Sequence, residues 1–365
     1  MADRPSAVTR QKVALAAAPN LAEVVAGLGA FSAELHRSSA TVAANWTVSP
    51  LSIALAFGML RAGSRGTTAD EIDDVFGFPA GSAAQGSAHA ALNALAANLV
   101  TSAPVPKPRE VVTGRPEAAI VAIANGLFID QTYSDVIEPE FLTTLAANYG
   151  ASPTTMSFAD PAAAHAINEW VARQTRDRIT KLFDRLDPET CLVLANAVYL
   201  KATWMHQFSE HATTDGPFTT AGGHPVPARL MHERFQSVRY AARDGWQRVS
   251  LPYVGNELAM RIVIPTGHAA DVASLAPALA AASQPAARDD RPAWVELTLP
   301  RWDTATVSAL LIIVPSRRDH GSGAVGPRRG RGWSCWPRVP PGSMAGRAAR
   351  MRHDHGVLHR LECRR

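Results

Sequence analysis

The 365-residue sequence has few cysteines and no long hydrophobic run. Its three cysteines, Cys191, Cys335 and Cys363, are too few and too scattered for a disulfide framework or a four-ligand zinc site. No apolar stretch approaches the roughly 20 residues that a membrane-spanning helix needs. Residues 1–20 carry mixed charges and a short apolar run before Pro19, which is a poor match to a signal peptide. The sequence therefore predicts neither a disulfide-stapled scaffold nor a membrane-spanning helix.

Lysine is missing from one part of the sequence. Residues 307–365 contain twelve arginines, three acidic residues and no lysine, a net charge of +9. The preceding residues contain 24 basic and 29 acidic side chains, a net charge of −5. Residues 307–365 are also rich in glycine and proline, and beyond residues 310–314 they show no periodic apolar pattern. We therefore expect a folded part followed by a disordered, Arg/Gly/Pro-rich tail.

The strongest structural signal is the run of residues 191–200. It is apolar on both alternating faces except at Asn196, which is typical of a central strand covered on both sides. A buried amide without partners costs several kcal/mol, roughly 2 to 7 on transfer scales, so Asn196 should lie in a buried hydrogen-bond cluster. The alternative is an Asn at a strand-end turn, but turn residues are absent on either side.

A buried helix can supply the partners that this amide needs. Ser49 precedes Pro50, an arrangement that predicts a capped helix start with proline at the first helical position. The residues that follow are apolar nearly all round, so the helix should be buried. Its polar members Ser49 and Ser52 are therefore candidate partners for Asn196.

Helices dominate the first third of the chain and strands dominate its middle. A helix is predicted for residues 21–37, and Thr68 with Glu71 predicts a capping box. Further predictions are an Ala-rich helix between residues 80 and 99, a proline-rich loop at 101–116, an apolar strand at 118–130 broken at Asn125-Gly126, and an Ala-rich helix at 269–282. Because no βαβ rhythm is present, an α+β single domain is expected rather than a doubly wound sheet.

A series of motifs in one order resembles the serpin family over residues 21–302. They are NWTVSPLSI (45–53), GSRGTT (63–68), ANGLF (124–128), INEW (167–170), LANAVYLKATW (194–204), PF (217–218), Met231, LPY (251–253), MRIVIP (260–265) and LPRW (299–302). The resemblance implies an α+β fold of mixed sheets surrounded by helices, with the central strand in a large sheet A. It also implies that Ser49, Ser52 and Asn196 form the polar cluster called the shutter, and that Trp204 lies in the breach where a reactive loop enters the sheet.

The resemblance further implies a serine protease inhibitor, with a serine protease as partner, no cofactor, no metal and no catalytic residues. Serpins offer a reactive loop as substrate, and the cut loop inserts into sheet A. The family pattern stops after Thr306, and no acidic hinge followed by small residues occurs beyond it. We therefore expect an N-terminal extension at residues 1–20, an incomplete serpin-like domain at 21–306 and a non-family tail at 307–365. Such a chain should not inhibit, and the tail's GC-rich-codon composition suggests a shifted reading frame.

Three other parts of the sequence bear on function. The twelve tail arginines with Trp333 and Trp336 have the chemistry to bind nucleic acid or an anionic surface, which is the runner-up interpretation. The segment around Ser64 resembles a nucleophile elbow, but Ala62 replaces the first glycine and no strand precedes it. His353, His355 and His359 lack a regular element that would hold a metal.

Overall fold

The computed structural model describes residues 10–39, 47–79, 82–99, 119–177, 179–187, 190–220, 223–243, 245–266, 291–302, 307–312 and 358–364. The helices in this part of the chain are α1 (Leu21–Ser39), α2 (Pro50–Gly63), α3 (Thr67–Phe76), α4 (Ser82–Leu99), α5 (Pro139–Tyr149) and α6 (Pro161–Thr175). The strands are β1 (Ile120–Asp130), β2 (Pro153–Met156), β3 (Thr190–Lys201), β4 (Thr214–Thr219), β5 (Pro225–Arg243), β6 (Trp246–Pro252), β7 (Ala259–Pro265), β8 (Arg291–Pro300), β9 (Val307–Ile312) and β10 (Leu358–Arg364). Helices and mixed sheets together confirm the α+β fold class.

The first sheet has the strand order β2-β1-β3-β10-β9. β3 pairs antiparallel with β1 along nearly its whole length, and Asn125 lies directly opposite Asn196. On its other edge β3 pairs antiparallel with β10, which in turn runs parallel to β9. The sequence run around Asn196 is therefore an inner strand, as its apolar pattern predicted.

Helices cover both faces of the first sheet. Successive side chains of a strand point to opposite faces, so Leu192 and Leu194 share one face and Val193 and Ala195 share the other. Leu192 and Leu194 pack in a core that contains much of α2, whereas Val193 and Ala195 pack in a second core with Ile167 of α6. Asn196 is on the α2 face because it has the same alternation as Leu194.

The second sheet has the order β4-β5-β6-β7, with β8 paired to β5. It has one apolar face, formed by six buried residues: Phe235, Val238, Val249, Leu251, Leu297 and Leu299. β8 shows the alternation of a strand with one wet face, because Leu297 and Leu299 are buried whereas Thr298 and Trp294 are exposed.

Several local predictions can be compared with the structure. Ser49 caps α2 by accepting a hydrogen bond from the Ser52 N–H, and Pro50 is the first helical residue, as predicted. The capping box at Thr68 is wrong, because α3 begins one residue earlier, at Thr67, with Gly66 as its N-cap and no side-chain cap hydrogen bond. The loop at 101–116 and the helix at 269–282 lie outside the described residues. None of the helices in the described ranges combines the length and hydropathy of a membrane span.

Candidate functional site

A buried polar cluster joins α2 to the centre of the first sheet. The Ser52 hydroxyl donates to Oδ1 of Asn196, and Nδ2 of Asn196 donates to Oδ1 of Asn125 at 2.7 Å. The exposed fractions of Ser52, Asn196 and Asn125 are 4%, 2% and 9%. Each amide thus has a partner away from water, which removes the cost of burying it. We call Ser52, Asn125 and Asn196 the sheet cluster.

Two further residues extend the sheet cluster towards α4 and α5. Nδ2 of Asn125 donates to the carbonyl oxygen of Tyr149 at 2.8 Å, and the Tyr149 hydroxyl lies 2.7 Å from Nδ1 of His89. Burial lowers the pKa of His89 to about 4, with a smaller contribution from the positive charge of Arg61. Burial also raises the pKa of the Tyr149 hydroxyl. His89 is therefore neutral at pH 7 and forms a neutral hydrogen bond with Tyr149.

The structure joins two of the three predicted cluster residues directly. Ser52 and Asn196 share a hydrogen bond, whereas the Ser49 hydroxyl accepts from the backbone N–H of Ser52 at 3.2 Å. Sequence reasoning missed Asn125, which was interpreted as part of a strand break. The signal was present, because Asn125 has the same alternation as the apolar residues Leu127 and Ile129.

Trp204 lies beyond the end of β3 in a separate aromatic contact. Its ring stacks on Tyr253 with centroids 4.6 Å apart, and the two residues form an isolated antiparallel bridge. The ring also meets Phe208 edge-on at 6.4 Å. Trp204 therefore ties the end of β3 to the second sheet and is not part of the sheet cluster.

The described residues offer no support for catalytic or metal chemistry. Ser64 is fully buried and its hydroxyl donates to the carbonyl oxygen of Leu60 at 2.9 Å, so it is not presented to a substrate. No group of three metal-binding side chains occurs in the described ranges. The side chains of His353, His355 and His359 lie outside the described part, as do those of the arginine-rich tail. The nucleic-acid interpretation therefore receives no support from the structure.

Comparison with known proteins identifies the family. Residues 26–311 match the family model for Serpin (serine protease inhibitor). The human leukocyte elastase inhibitor is 32% identical over 61% of this chain and 55% of its own length. An uncharacterised serpin-like protein of Thermococcus kodakarensis is 32% identical over 66% of this chain and 53% of its own.

Solved structures agree with the sequence matches. The cleaved serpin 42Da superposes with a TM-score of 0.64 and 25% identity, covering 77% of this chain and 72% of the other. Emu ovalbumin, at 23% identity, shares the fold with a TM-score of 0.62, covering 76% of this chain and 73% of its own. The matched segment spans little more than half the length of the two relatives named above. Because the family match spans residues 26–311, most of the chain, and the fold is shared with solved structures, the chain belongs to the serpin family of serine protease inhibitors.

Proposed function

We propose that this chain is a serpin scaffold of the protease-inhibitor type that does not itself inhibit a protease. The family match carries the first half of the proposal, because it includes β1, β2 and β3 of the sheet that receives a cut reactive loop in this family. The second half rests on residues 307–365, which contain no acidic hinge followed by a run of small residues. The family match ends at Leu311, inside this stretch.

The sheet cluster would act as the shutter of such a scaffold. Its hydrogen bonds connect α2 to β3 and β3 to β1, so sliding these elements apart would leave buried amides without partners. Ser49 would contribute by fixing the start of α2. Trp204 would correspond to the breach, because it lies where β3 ends and the chain crosses to Tyr253.

The strand pairing supports a loss of inhibition. A strand that enters a sheet needs an edge whose backbone N–H and C=O groups are free. β3 is already paired on both edges between Leu192 and Asn196, with β1 on one side and β10 on the other. An incoming loop would therefore have to displace β10 before it could pair with this half of β3.

The family named above consists of inhibitors rather than enzymes, and we propose the same absence of catalysis for this chain. The proposed ancestral partner is a serine protease whose identity the sequence does not assign. The buried Ser64 supports the absence of a serine nucleophile at the one segment that resembled an elbow. No small-molecule cofactor is invoked.

Inhibition is tested by incubation with elastase-, trypsin-, chymotrypsin- and subtilisin-like proteases, followed by denaturing gel electrophoresis. We expect no band at the summed mass of chain and protease, while the human leukocyte elastase inhibitor serves as the positive control with elastase. A higher-mass band that disappears when the protease's catalytic serine is blocked would contradict the proposal.

A further inference from the structure

The N-terminal residues lie on α4 and α5 through one buried side chain. Asn93 of α4 is fully buried, and its Oδ1 accepts from the Val13 N–H at 3.0 Å. Its Nδ2 donates to the Gln11 carbonyl at 2.9 Å and to the Asn148 carbonyl at 2.8 Å. Asn93 therefore pairs with a donor and an acceptor two residues apart, the spacing that an extended chain presents on one side.

Contacts on either side complete this binding site. The Gln11 N–H donates to the carbonyl of Ala147 at 2.9 Å, and Nδ2 of Asn98 donates to the carbonyl of Val13 at 3.3 Å. Next to them the Arg10 side chain covers Gly150, where a Cβ would come within 2.9 Å of Cδ of Arg10. Gly150 has φ +64°, so it is suited to end α5 both by its conformation and by its lack of a side chain.

The groups of α5 that bind this segment belong to its last turn. Ala147, Asn148 and Gly150 flank Tyr149, whose carbonyl accepts from Asn125 of the sheet cluster. A segment that fixes this turn therefore also fixes the acceptor that Asn125 uses.

We propose that α4 and the last turn of α5 form a binding site for a short extended peptide, and that residues 10–13 occupy it as an in-chain ligand that stabilises the sheet cluster. The site selects an extended backbone, because its hydrogen bonds all go to the backbone N–H and C=O groups of Gln11 and Val13. No assigned function of the chain accounts for it.

Hydrogen exchange on the full chain, read by mass spectrometry, tests the proposal. Val13→Pro removes the N–H that Asn93 accepts, whereas Val13→Ala keeps it and is the matched control. Gln11→Pro and Gln11→Ala form a second pair at the Ala147 contact. We expect each proline variant to exchange about tenfold faster than its alanine control at residues 145–150 and 124–128, the factor that losing one buried hydrogen bond implies. The second sheet should exchange at an unchanged rate.

A synthetic peptide with the sequence of residues 8–19 is then added to the Val13→Pro chain. Restored protection at residues 145–150, absent with a peptide that carries the same proline, would support a peptide site. Equal exchange in the proline and alanine variants would overturn the proposal, as would a uniform increase over all segments. If the peptide does not restore protection at millimolar concentration, the proposal of a peptide-binding site is excluded.

Discussion

The two sheets of this protein bury polar groups in opposite ways. In the helix-covered first sheet, Asn125 and Asn196 lie inside the core and are satisfied by each other and by Ser52. In the second sheet, one face is an apolar cluster and the other carries exposed polar pairs such as Arg234 with Glu296, although Arg248 and Ser250 of β6 are buried. The first arrangement needs every partner in place, whereas the second tolerates the loss of individual polar groups.

This difference separates the part of the molecule where function is proposed from the part that supports it. A buried network is costly to leave half-satisfied, so it resists separation of the elements that it joins. Exposed ion pairs contribute little to stability, because solvent and salt weaken them. Matched substitutions, one of a buried group and one of an exposed group, can therefore compare how much each contributes to the free energy of unfolding.

The largest effect is expected at the buried ion pair that joins α2 to α3. Nε and Nη2 of Arg61 each donate to one carboxylate oxygen of Asp73 at 2.7 Å, and both side chains are buried. Asp73→Ala removes the carboxylate that pairs with the buried guanidinium of Arg61, so the free energy of unfolding should fall by about 3 to 5 kcal/mol. Glu296→Ala breaks the exposed pair with Arg234 and should change it by less than about 0.5 kcal/mol. Equal urea midpoints for the two variants would contradict the contrast.

Much of the first sheet could be predicted because its signals are local. A single amide in an apolar strand predicts a buried hydrogen-bond partner, and Ser49 before Pro50 predicts a capped helix. The Asn125-Gly126 pair was misread because the same dipeptide is a common turn signal. β1 instead continues through both residues, and Gly126 is needed since a Cβ there would come within 3.1 Å of Trp170.

Other features depend on pairing partners that a local pattern does not reveal. β5 extends over Pro225–Arg243, although only its second half has the alternation of a strand, because its first half pairs with β4 and β8. Tyr149 accepts from Asn125 through its backbone carbonyl, which every residue possesses. The role of His89 follows from the packing of α4 against α5, so no spacing in the sequence indicates it.

Lowering the pH should reduce the free energy of unfolding, because the buried His89 next to the helix-covered first sheet resists protonation. Its pKa is 6.5 in the unfolded chain and about 4 in the folded protein, where burial and Arg61 disfavour the charged ring. Between these values the unfolded state binds more protons, so stability is full above pH 6.5 and falls as the pH drops towards 4, by up to about 3 kcal/mol.

Urea midpoints measured from pH 4.5 to 7.5 check this expectation. His89→Gln should flatten the decline, because the replacement does not titrate. A profile for His89→Gln that matches the unsubstituted chain would exclude His89 as the cause.

The sheet cluster should give the next largest effect. Asn196→Ala removes the partner of the Ser52 hydroxyl and of the side-chain Oδ1 of Asn125. Leaving such buried groups unsatisfied costs about 1 to 3 kcal/mol. Gln247→Ala is the control, because Gln247 is exposed on β6. If both variants unfold at the same urea concentration, the cluster does not stabilise the first sheet.

The smallest expected effect concerns the aromatic contact between the end of β3 in the first sheet and the end of β6 in the second. Trp204 stacks on Tyr253, and a stacked pair contributes about 0.5 to 1.5 kcal/mol beyond the area that it buries. Trp204→Leu keeps an apolar side chain but loses the stack, so the free energy of unfolding should fall by about this amount. Trp294→Leu is the matched control, because Trp294 of β8 is 76% exposed and removing its ring leaves no buried gap. Urea unfolding followed by circular dichroism measures both without relying on tryptophan fluorescence. A larger loss at Trp294 than at Trp204 would mean that exposed aromatic surface, and not the contact at the end of β3, stabilises this side of the molecule.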